Sequence, residues 1–135
     1  MTDHCKSRVF TIFIARPFDD VYEYLAKPEN FSQWAAGLGD GVRFVDGVWI
    51  ADTPRGAVTI RFSERNEFGI VDHYVYPKPD LEIYVPMRVV INGSGSQVLF
   101  MLFQLPEMTD EQFKADAVLV QKDLETLKRV LESRS

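Results

Sequence analysis

The chain has 135 residues, enough to build one hydrophobic core without disulfide or metal staples, so a single domain spanning 1–135 is expected. Apolar residues make up 46% and charged residues 26%, with no low-complexity block, which excludes a disordered chain. The net charge is −5 and Lys and Arg are scattered singly, so neither nucleic acid nor an anionic membrane surface is an expected partner. The densest basic group, Lys128, Arg129 and Arg134, falls in the last turns of a predicted helix, where cations suit the helix dipole.

Cys5 is the lone cysteine, and no Cys or His spacing reads as a zinc site, so no metal or cofactor is expected and a reducing, cytoplasmic setting fits. The apolar run 9–15 contains Thr11 and leads into Arg16 and Pro17. It is too short for a membrane span and poorly flanked for a signal peptide, and it reads as a strand.

In chain order, residues 7–16 are rich in Val, Phe, Ile and Thr and end at Pro17, which predicts the first strand. Pro17 opens a short helix whose N-terminal end carries Asp19, Asp20 and Glu23, with Val21 and Leu25 on one face. Pro28 stops it and opens a second, with Phe31 and Trp34 on one side. Gly37, Gly39 and Gly41 then form a loop, read as mobile and near the mouth of a cavity. They mimic a phosphate-binding spacing only in outline, because they follow a helix instead of joining a strand to one.

A meander of six strands comes next. Residues 42–45 and 48–51 are joined by Asp46-Gly47, the pair a type I′ hairpin favours. Val58, Ile60 and Phe62 alternate with Thr59, Arg61 and Ser63, which predicts one buried face. Runs 70–76, 81–91 and 97–105 complete the sheet, with turns at 77–80 and 92–96. A symmetric loop after residue 63 would set Ser63 opposite Ile70 and Arg61 opposite Asp72, a solvated contact on the outer face. Finally, Thr109 and Gln112 spell a capping box. Phe113, Ala117, Val120, Leu124, Leu127 and Leu131 repeat at helical steps, which predicts one amphipathic helix over 109–132.

This order of elements resembles the START-like superfamily, also called SRPBCC or helix-grip, and within it the polyketide cyclase/dehydrase-like branch. The residues that carry the likeness are Val9-Phe10-Thr11-Ile12 with Pro17, Val21, Tyr22 and Leu25, then Pro28-Glu29-Asn30-Phe31 leading to Trp34. Asp72-His73-Tyr74-Val75, Val85-Pro86-Met87-Arg88 and Asp123-Leu124 with Leu127-Lys128 complete it. The resemblance covers nearly the whole chain. It implies an α+β fold in which a curved antiparallel seven-stranded sheet wraps around the long C-terminal helix, enclosing a cavity for a small hydrophobic ligand such as a lipid or polyketide.

Within that frame His73 alternates with Val71 and Val75 on the inner face, where an imidazole can orient a ligand or move a proton. It also fits a core histidine bonded to a neighbouring hydroxyl or carbonyl. Asp72, pointing the other way, cannot orient it. Arg88 and Tyr84 share the opposite parity from His73. They reach the cavity only if a bulge at Pro86 flips the strand, and otherwise face outward. An inward Arg88 could hold a carboxylate or an enolate oxygen. Trp34 and Trp49 serve as core contacts or pocket wall, and Phe62, Phe100, Phe113, Ala117, Val120 and Leu124 supply shape alone.

Three functions compete. The first is a binding module for a small hydrophobic ligand, since apolar wall residues outnumber chemical groups. The second is a cyclase or dehydratase using His73 as acid or base, with Arg88 or Tyr84 steadying an oxyanion. The third is a protein-interaction module acting through an outer apolar face that includes Leu99, Met101 and Phe103, a patch that also suggests a homodimer.

Overall fold

A computed structural model describes residues 4–35, 41–54 and 56–134, so Gly37 and Gly39 lie outside the described residues. Thr109 lies in extended backbone; its hydroxyl accepts the Gln112 amide at 3.1 Å, and Gln112 Oε1 accepts the Thr109 amide at 2.9 Å. This reciprocal cap starts the long helix α3 (Asp110–Glu132). One face of α3 is buried through Ala117, Val120, Leu124, Leu127 and Leu131, and each of these leucines contributes about 2 kcal/mol by leaving water.

Strand β1 (Ser7–Ile14) pairs antiparallel along its whole length with β8 (Gly95–Phe103), from Ser7 opposite Phe103 to Ile14 opposite Ser96. The C-terminal end of α3 is fastened where β1 ends. Lys128 Nζ donates to the Phe13 carbonyl at 2.7 Å, Glu132 accepts the Ala15 amide at 2.8 Å, and Arg16 donates to the carbonyls of Leu131 and Arg134. The Lys128 ammonium and the Ala15 amide hold the Glu132 carboxyl below its usual range.

Helix α1 (Phe18–Leu25) begins after Pro17, which takes the extended N-cap position; a 3-10 turn (Pro28–Asn30) and the single-turn α2 (Phe31–Trp34) come after it. The meander comprises β2 (Val42–Val45), β3 (Val48–Thr53), β4 (Gly56–Phe62), β5 (His73–Lys78), β6 (Leu81–Val85) and β7 (Met87–Asn92). Asp46 and Gly47 both have positive φ, 50° and 81°, as their I′ turn requires.

The described strands number eight in two sheets, β1-β8-β7 and β2-β3-β4-β5-β6, where the sequence suggests seven in one. The difference arises at Pro86. Proline has no N–H to continue a ladder, so the expected strand 81–91 breaks into β6 and β7. Alternation survives the break: Val85, Met87 and Val89 are all buried, and no bulge flips the residues beyond Pro86. Residues 69–71 run along β7, with Ile70 bridged to Arg88, the Val71 amide donating to Met87 and the Val89 amide donating to Gly69. Gly69 has φ 73°, and a Cβ there would lie 2.2 Å from the Val89 carbonyl oxygen, so only glycine fits.

This detour also corrects the β4–β5 register. Because residues 69–71 are committed to β7, Arg61 lies opposite Tyr74 and not Asp72, and Ser63 meets Asp72, whose carbonyl accepts from its amide at 3.1 Å and its hydroxyl at 2.6 Å. The intervening loop is organised by Asn66, which accepts the amides of Phe68 and Ile70 and donates to the Glu64 and Ile70 carbonyls. Asp72 is not a solvated surface acid. It is buried, and its carboxylate accepts the Tyr84 hydroxyl at 2.7 Å, the Met87 amide at 2.8 Å and the Arg88 guanidinium.

Replacing Asp72 with Ala would strand the Met87 amide at the corner and release two side chains. Asp72→Ala is expected to lower unfolding free energy by about 2–3 kcal/mol in urea titrations. Arg88→Ala, removing a half-exposed partner, should cost about 1 kcal/mol or less.

Candidate functional site

Alternation along β5 sends consecutive side chains to opposite faces, and the structure divides the predicted site residues accordingly. His73 points inward, with 4% of its surface exposed. Its ring sits within an aromatic cage: Phe31 at 5.0 Å, Phe62 at 6.2 Å and Phe100 at 6.4 Å between centroids. Trp34 is buried against Phe31 at 5.2 Å. A cavity of about 10 Å3 lies beside the imidazole, lined by Leu25, Phe31, Trp34, Phe62, Val71, His73 and Met87. That volume is at the threshold for one water molecule.

Burial pushes the His73 pKa down to about 4, against smaller opposing effects of a hydrogen bond with the Val71 backbone and of the nearby Asp72 charge. The imidazole is therefore neutral near pH 7, with one ring nitrogen protonated and the other an acceptor.

Tyr84 and Arg88 take the outward orientation. They join Asp72 on the other face of the strand, so the structure does not bring them together with His73. Tyr84 stacks on Tyr74 at 4.9 Å, and its hydrogen bond to Asp72, with burial second, raises its pKa above the ordinary tyrosine value. Arg61 lies over the Tyr74 ring at 4.2 Å and reaches Glu82 at 3.9 Å. Leu99, Met101 and Phe103 are half-buried on this outer side, with Val9 and Val90 exposed nearby.

Of the α3 residues read as pocket wall, Ala117, Val120 and Leu124 are buried in the core and Phe113 is half-buried. A cleft of about 850 Å3 runs along β3, β4 and β5, from Ala26 and Pro28 to the Pro77–Pro79 hairpin. On the inner side of these strands its wall includes Phe44, Trp49, Ile60 and Phe62. Phe44 and Trp49 sit 5.0 Å apart, and Trp49 meets Phe62 edge-on at 6.3 Å. Phe44, 59% exposed, is a functional candidate that sequence reasoning missed; a phenylalanine separated by Val45 from the Asp46-Gly47 turn, opposite a tryptophan, is the signal that marks it.

No group of His, Cys, Asp or Glu that could hold a metal ion occurs among the described residues, and no described helix is long and apolar enough to cross a membrane.

Solved structures share this architecture at low identity. The chain superposes on the protein XoxI from Bacillus cereus with a TM-score of 0.75 at 15% identity, covering 94% of this chain and 96% of that one. It matches Ara h 8.0201 with a TM-score of 0.73 at 10% identity, covering 96% and 99%. It matches a START superfamily protein from Mycobacterium smegmatis with a TM-score of 0.70 at 12% identity, covering 93% and 97%. No family model and no curated protein sequence matches the chain. The chain has a START-like fold, and at these identities the likeness concerns architecture alone.

His73 makes stability depend on pH with a definite sign. Unfolded imidazole titrates near 6.5 and the folded one at about 4, so the unfolded state takes up the proton first. The stabilisation is complete above pH 6.5 and is lost as pH falls towards 4, by a total on the order of 3 kcal/mol. Urea unfolding of wild type and His73→Gln at pH 7.5 and pH 4.5 should show their stability difference shifting by about 2–3 kcal/mol in favour of the variant at the lower pH.

Proposed function

We propose that this protein binds a small hydrophobic ligand in the cleft walled by Phe44, Trp49, Ile60 and Phe62. The observation that carries this reading is the aromatic series itself. It starts on an exposed ring, Phe44, passes through Trp49 and ends on Phe62 against the core, beside about 850 Å3 of space. Pockets of a few hundred to a thousand Å3 lined by aromatic groups are the usual setting for such ligands. An exposed phenylalanine costs solvation free energy that a bound apolar molecule recovers.

Binding, and not acid–base catalysis, is what the polar groups support. With a pKa of about 4 the His73 imidazole holds no imidazolium proton to give near pH 7 and is a weak base, and among the described residues no second acid or base stands beside it in the cage. Tyr84 and Arg88, the candidate oxyanion donors, are engaged with Asp72 across the strand. The cleft differs in place from a cavity centred on α3, since its lining includes no α3 residue.

Titration with the fluorescent apolar probe N-phenyl-1-naphthylamine should give saturable binding at one site. Trp49→Ala should weaken it about tenfold, equivalent to about 1.4 kcal/mol, and Tyr84→Phe should leave it unchanged. Non-saturable enhancement, or equal affinity in all three proteins, would remove the cleft from consideration.

A further inference from the structure

Three cavities share one side chain. Phe62 lines the large cleft, the chamber of about 10 Å3 beside His73, and a second chamber of about 10 Å3 bounded by Tyr22, Leu25, Ile70 and Asp72. It is the last residue of β4 and is paired with His73 across the sheet. Its ring stands edge-on to Phe31 at 5.6 Å on the core side and edge-on to Trp49 at 6.3 Å on the cleft side. Among the described residues this half-buried phenyl group is the one side chain that lines both the open cleft and the chamber beside His73, while Ala26 and Ser63 join it between the cleft and the second chamber.

We propose that the Phe62 ring is a movable partition, and that an apolar ligand ending in a hydroxyl group displaces it and sets that hydroxyl against the His73 imidazole. The proposal rests on the cleft reading and extends it to the chemical class of the ligand. Each chamber alone holds one water molecule at most, so nothing larger reaches His73 while the ring is in place. Displacement vacates the volume of a phenyl group and makes the three spaces continuous. The cost is modest, because the ring is held by edge contacts worth about 0.5–1.5 kcal/mol each, which an entering apolar group replaces in kind. The end group is set by the imidazole. A neutral ring has one protonated nitrogen and one acceptor nitrogen, and the acceptor pairs with a donor such as O–H.

The partition is tested without ligand by NMR titration of the His73 side chain, with its signals distinguished from those of His4 by the His73→Gln variant. Phe62→Ala should let water reach the imidazole and move its midpoint upward from about 4 towards 6.5, while Phe62→Trp leaves it in place. Phe62→Leu, a milder truncation, should give an intermediate shift and covers the case in which the alanine variant does not fold. A folded Phe62→Ala or Phe62→Leu protein whose midpoint stays at about 4 overturns the partition.

The ligand class is tested on wild type with 2-naphthol and 2-methoxynaphthalene. We expect 2-naphthol to bind at least tenfold tighter and to shift the His73 resonances. Equal affinities, or binding that leaves His73 unmoved, overturn the displacement. If N-phenyl-1-naphthylamine still binds, that failure belongs to the partition and the cleft reading stands. If none of the three probes binds, both fall.

Discussion

Pro86 cannot donate a hydrogen bond, and the buried carboxylate of Asp72 sits beside that gap. Around the proline, β6 pairs with β5 and β7 with β8, while the Pro86 carbonyl accepts the Met101 amide at 3.0 Å. Asp72 binds Tyr84 of β6, the Met87 amide at the start of β7, and Arg88 within β7, so one side chain holds both sides of the break. The corner turns a continuous ribbon into two sheets. α1 and α3 pack against the β1-β8-β7 sheet, and residues 69–71 are committed to β7 beside the corner. A buried acid supported by a guanidinium, a hydroxyl and an amide is the form in which such charge is tolerated in a fold.

Adjacent residues of β5 consequently face very different surroundings. Asp72 lies among hydrogen-bond donors on the outer side, and His73 lies among rings on the inner side. The charge of Asp72 raises the pKa of His73, yet desolvation prevails. The result is an imidazole in an apolar chamber that carries no charge near neutrality.

Features set by local pattern were legible in the sequence. The Thr109 and Gln112 cap, the leucine stripe of α3, the positive-φ pair at the β2–β3 turn and the inward parity of Val85, Met87 and Val89 all depend on residues a few positions apart. The burial of Asp72 was not legible, nor was the register that places Ser63 beside it. Both depend on residues 69–71 leaving β4 to bond with β7, a choice settled by partners about twenty residues away. For the site, alternation revealed the inward direction of His73. Periodicity could not reveal whether the apolar faces of α3 and the sheet leave a gap, because that depends on side-chain packing.

The fastening of α3 to the end of β1 bears on how the chain reaches this structure. Among the described residues β1 finds its ladder partner in β8, and Phe13, Ala15 and Arg16 find theirs in residues 128–134. The opening strand therefore waits on contacts separated by most of the chain, and loop-closure entropy must be overcome before they form. During synthesis β2 to β6 can pair locally as hairpins, whereas β1 remains an unmatched apolar strand until β8 and α3 have emerged. That interval, not the finished fold, is when the sequence 9–14 is most exposed to association with other chains.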